Sequence, residues 1–199
     1  MLDVALVKEC ADPSLKTAVV EQFVETVGSP DPLAVTVKLG GRLILVPKAV
    51  SADGAMEIIR QNIGHAIVRV GLTQFPAGAG VKDASELKSD LVEPCANLRM
   101  GTAMFAKILR IVAKWYGDPK FEAAFPQIFE DAIHAWKTGE FEGENVFRAD
   151  DPGGKRIEQP KDDPRSEVVF DVPIGPTTSQ SRVEDADIRI DLSRIGGRP

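Results

Sequence analysis

The chain has no long apolar run, almost no histidine, few aromatics and no surplus of positive charge. No stretch approaches the ~20 consecutive apolar residues that span a bilayer, so no membrane span is expected. The first residues, Met-Leu-Asp-Val-Ala-Leu-Val-Lys-Glu, do not read as a signal peptide. Their apolar stretch is short, and acids flank it where a basic segment belongs. Lys and Arg number 24 against 30 Asp and Glu, a net charge of −6, and no basic stripe compensates. Direct binding to nucleic acid is therefore not expected, since phosphate contacts need clustered cations. With 2 histidines, 2 cysteines and no Cys-x-x-Cys, no metal site is expected. Cys10 and Cys95 read either as small buried hydrophobes or as one disulfide.

What is present suffices for a folded domain. The chain has 199 residues, 43% of them hydrophobic, enough for one sizeable core. Residues 1–147 read as that domain. Asp12-Pro13-Ser14 predicts a helix start, followed at helical spacing by Leu15, Val19, Gln22 and Phe23 and ended by Gly28-Ser29-Pro30. Residues 33–38 and 43–47 are β-rich runs around Gly40-Gly41, a hairpin signal. A helix is expected from Ser51, carrying Met56, Ile59 and Ile63, and a third short strand over 66–70. A long helix lies within 91–117, with Leu98, Phe105, Ile108, Leu109 and Val112 on one face. The last helix covers 125–137, with Ile128, Phe129, Ile133 and Trp136 on its apolar side.

After Phe147 the composition turns polar and rich in Pro and Gly, so 148–199 is expected to be a disordered tail. Its end alternates Ile188, Ile190 and Leu192 with Arg189 and Asp191. The segment 187–199 reads either as a floppy end or as a docking element that adds a strand to a partner.

Six short motifs follow in a fixed order. They are Cys10-Ala11-Asp12-Pro13, Glu25-Thr26, Pro32-Leu33-Ala34, Gly71-Leu72-Thr73-Gln74, the run from Pro94-Cys95-Ala96-Asn97 to Gly101, and Ala135-Trp136-Lys137-Thr138-Gly139. Together they resemble the lytic-transglycosylase domain of the wall-opening proteins of conjugation and type IV secretion systems. The chain as a whole resembles the small TraH family of plasmid conjugal-transfer proteins. The resemblance implies a mainly α (α+β) lysozyme-like fold with a small antiparallel β-ribbon. It implies peptidoglycan and components of the transfer apparatus as partners, a periplasmic workplace and no cofactor. It also favours a disulfide between Cys10 and Cys95.

Lytic transglycosylases use one Glu as both acid and base, protonated near neutral pH by an apolar cleft that raises its pKa. The two-carboxylate arrangement of most glycosidases is not needed. In the family that Glu ends the first helix, is followed by Ser, and stands five residues before the Pro of Asn-Pro-x-Ala. Val27 occupies that position here. Glu25, followed by Thr26, fits with a two-residue insertion at 28–30; Glu21 is the reserve, and a chain without a catalytic Glu is the third possibility. The resemblance assigns substrate contacts to Thr26, Gln74 and Trp136. Asn97 and Gly101 read as structural, through backbone hydrogen bonding and close helix packing. Lys137 replaces the family's Asn by a long cation. Two functions follow: cleavage of peptidoglycan, or a non-enzymatic assembly role on the same frame.

Overall fold

The computed structural model describes residues 3–117 and 124–153, all within one unit, Met1–Lys161. Helix α1, Val4–Cys10, starts at Asp3, whose carboxylate accepts the Ala5 N–H at 2.9 Å. Helix α2 is Thr17–Val27 and leads to strands β1, Val35–Leu39, and β2, Arg42–Ile44. Helix α3, Ala52–Asn62, is capped by Ser51, whose hydroxyl accepts the Gly54 N–H at 3.1 Å. Strands β3, Ile67–Val70, and β4, Phe75–Pro76, precede helices α4, Pro94–Trp115, and α5, Phe125–Thr138. A hairpin of β5, Glu140–Phe141, and β6, Glu144–Asn145, follows. The domain is α+β.

The first four strands form one antiparallel sheet in the order β2-β1-β3-β4, with Val37 opposite Val68 and Lys38 opposite Ile67. Side chains alternate across a sheet. Val37, Val68 and Val70 are therefore buried on the core face, while Lys38, Ile67 and Arg69 share the other. The core is built on α4, whose Leu98, Phe105, Ile108, Leu109 and Val112 are all fully buried. Phe105 stacks on Phe23 of α2 with ring centroids 4.1 Å apart, and Trp136 of α5 meets Phe23 edge-on at 5.0 Å.

Two links pin the end of α1 to the start of α4. Cys10 and Cys95 are joined by a disulfide, with Cα atoms 5.1 Å apart. The Asp12 N–H donates to the Thr102 hydroxyl at 2.8 Å.

Several expectations need correction. The second helix begins at Thr17 rather than at Asp12, because the Asp12 carboxylate closes a local turn by accepting the Ser14 N–H (2.8 Å) and hydroxyl. Helix α1 and the β5–β6 hairpin were not foreseen. The expected β-ribbon is a four-stranded sheet. Beyond position 147, the expected domain end, the chain still contacts α4. Lys107 donates to the carbonyls of Phe147 and Ala149, and Arg110 holds the Asp151 carboxylate through two hydrogen bonds. The rest of the expected tail, with segment 187–199, lies outside the described residues.

Candidate functional site

The motifs meet as a backbone frame. At the end of α2 the Ser29 N–H donates to the Leu72 carbonyl at 3.0 Å. A Cβ on Gly28 would collide with that same carbonyl, so only glycine lets the two segments approach so closely. The Gly71 N–H donates to the Ala34 carbonyl at 2.9 Å, which joins the Pro32-Leu33-Ala34 motif to the Gly71–Gln74 turn.

Asn97 ties this turn to α4. It is buried, and its amide donates to the carbonyls of Val70 (3.1 Å) and Leu91 (2.7 Å). Its Oδ1 accepts the N–H and the hydroxyl of Thr73, both at 3.0 Å. Gly71, at φ +71°, leaves room for the Asn97 side chain, and Gly101 leaves room for that of Thr73. The hydrogen bonds of Asn97 thus reach the sheet and the loop before α4, well beyond its own helix start.

The side chains expected to carry chemistry do not converge on this frame. Glu25 is exposed on α2. Val27 is half-buried and packs on the core. Two residues along a helix is a rotation of roughly 200°, so Glu25 points away from the side that Val27 occupies. Apolar enclosure is missing around Glu25, while Glu21 is half-buried on the same helix. The Thr26 hydroxyl donates to the Gln22 carbonyl at 2.6 Å, within its own helix. Gln74 sits in the left-handed region at φ +50°, and its amide folds back to donate to the Gly71 carbonyl at 3.1 Å. Trp136 is 1% exposed, enclosed by Phe23, Phe105 and Phe147, and presents no face to a sugar. Its aromatic character serves the core, although its indole N–H has no partner.

A cavity lies elsewhere, on the outer face of β1 and β3, between the end of α5 and the loop over 78–84. It measures about 760 Å³, and Glu25, Thr26, Gln74 and Trp136 do not line it. Lys38, Arg69, Lys82, Lys137 and Arg148 do, with Asp83 the one carboxylate among the lining residues. Arg69 donates to the carbonyls of Trp136 (2.6 Å), Lys137 (3.2 Å) and Gln74 (3.4 Å). Two of these belong to the last turn of α5, whose carbonyls lack partners within the helix and favour a cation. The guanidinium carbon also lies 5.8 Å from the Trp136 ring centroid and 5.4 Å from that of Phe147. Burial pushes the Arg69 guanidinium down to about 10, which still leaves it charged at neutral pH. Sequence reading missed this cavity, because its cations are scattered from position 38 to 148.

The match to known proteins is to the family model TraH_2, which covers residues 1–197. The chain belongs to the TraH_2 family. A relative, "Uncharacterized protein y4dP" from Sinorhizobium fredii (strain NBRC 101917 / NGR234), is 61% identical over 199 residues, 99% of this chain and 100% of the relative. No solved structure matches. Among the described residues no helix is long and apolar enough to cross a membrane.

Proposed function

We propose that this TraH_2 protein is a non-enzymatic assembly component of a plasmid conjugal-transfer apparatus, built on the lysozyme-like frame of a lytic-transglycosylase domain. Family membership supports the place in conjugal transfer. The Cys10–Cys95 disulfide fits work in an oxidising compartment such as the periplasm. One observation carries the non-enzymatic part: Val27 stands where the resemblance puts the acid, and Glu25 lies exposed on another face of α2. The chemistry that the resemblance implies needs its acid in an apolar cleft, which the exposed Glu25 does not have. In this reading the wall polymer is not a substrate.

The test incubates the purified protein with peptidoglycan and looks for anhydro-muropeptides by mass spectrometry. None are expected. Deleting the gene should abolish plasmid transfer, and Glu25→Gln should restore it as well as the unaltered protein does. Anhydro-muropeptides that disappear with Glu25→Gln or Glu21→Gln would establish the enzyme and sink this reading.

A further inference from the structure

The cation-lined cavity has a composition that the rest of the chain does not explain. The protein carries a net charge of −6, yet five cations and one carboxylate converge on this single concavity. Like charges brought together repel, and the arrangement is destabilising unless something of opposite charge compensates it. Arg69 is compensated in part by the end of α5. The side chains of Lys38, Lys82, Lys137 and Arg148 form no ion pair among the described residues.

We propose that the cavity receives an acidic, extended segment of a partner protein, with carboxylates spaced along it and apolar side chains between them. Three observations favour this ligand. First, the cations come from separate places: β1, β3, the loop before Ala84, the end of α5 and the chain after β6. That spacing suits several separated carboxylates better than one compact anion. Second, among the described residues no α-helix starts on the cavity, and α5 ends on it. The backbone cradle typical of a phosphate site is therefore missing. Third, between the cations lie Ile63, Ile67, Val81 and Phe147, which give apolar side chains somewhere to bury. Nucleic acid fits poorly. The Phe147 ring that could stack a base faces the Arg69 guanidinium.

This inference names the kind of partner for the assembly role proposed above and rests on that role. The test uses the full chain and fluorescence anisotropy of a labelled peptide of about ten residues alternating Glu with Val or Ser. Lys82→Glu combined with Lys137→Glu, both exposed positions, should weaken binding about tenfold or more. Lys8→Glu with Lys114→Glu makes the same change in net charge off the cavity and should leave binding unaltered. Raising the salt should weaken the complex. Melting curves of both double variants verify that they fold. Three results overturn the proposal: no binding at low salt, equal loss in the two double variants, or a labelled single-stranded oligonucleotide binding more tightly than the peptide. A failed peptide experiment leaves the absence of wall cleavage standing, and detected wall cleavage says nothing about the cavity.

Discussion

Asn97→Ala is the substitution that most directly tests the frame. Asn97 is 1% exposed and makes four hydrogen bonds, two donated and two accepted. That is the full capacity of its amide. Alanine leaves the Thr73 N–H and the carbonyls of Val70 and Leu91 without this partner, all in buried surroundings. The Thr73 hydroxyl can turn toward the Asn97 carbonyl, 3.5 Å away, so it loses least. An unsatisfied buried group costs about 1–3 kcal/mol, and a water entering the space offsets part of that. Three main-chain groups then sum to roughly 3–5 kcal/mol, a large share of the ~5–15 kcal/mol that holds a domain together. At this size the melting temperature should fall by roughly 8–15 °C.

Asn97→Asp sharpens the experiment. It keeps the acceptor that faces Thr73 but replaces the two donated hydrogen bonds by a charged oxygen facing two carbonyls. It should be at least as damaging as alanine, even though it is nearly isosteric. The assay is thermal and urea unfolding followed by circular dichroism. A loss below about 1 kcal/mol for Asn97→Ala, or an Asn97→Asp protein as stable as the original, would refute the reasoning.

Two further outcomes follow from the same structure. The Cys10–Cys95 bridge closes a loop with a sequence separation of 85, so reduction or Cys10→Ser with Cys95→Ser should cost about 4.5 kcal/mol in the chain-entropy account, read as a drop in the urea midpoint. The Arg110 hydrogen bond holds the Asp151 carboxyl below its ordinary range. A carboxyl depressed in the folded state contributes stability above its unfolded pKa and loses it as pH falls through the folded value. Asp151 is 43% exposed, so the pair is worth at most about 1 kcal/mol. Asp151→Asn should therefore lower the melting temperature slightly at pH 7 and make no difference near pH 2.

The helices were legible where apolar periodicity ran long enough. α3, α4 and α5 fall where the spacing of Ile59, Leu109 and Ile133 puts them. α1 was missed because seven residues show barely two turns of pattern. The start of α2 was misplaced because Asp12-Pro13-Ser14 is an equally good signal for a turn, and the Asp12 carboxylate takes the turn. Trp136 shows a different limit. An aromatic on the apolar side of a helix looks the same in sequence whether it stacks on a sugar or packs edge-on against Phe23. The cavity was not legible at all, since only the pairing of β1 with β3 and the return of the chain after β6 bring Lys38 and Arg148 to one place.

The residues that gave the sequence its resemblance divide into two physical kinds. Ala34, Gly71, Asn97 and Gly101 act through backbone hydrogen bonds or close approach, and a Cβ at either glycine would collide with a neighbour. Such positions are costly to change whatever the protein does. Glu25 is an exposed side chain on a helix held by other residues, and changing an exposed residue of this kind shifts stability by only about half a kcal/mol. The frame can therefore persist when the acid is absent or displaced, because nothing in the fold depends on it. Motif order in this chain thus speaks for local architecture, and activity depends on the surroundings of whichever carboxyl would carry the chemistry that the resemblance implies. Here those surroundings are water on Glu25 and a valine on the inward side.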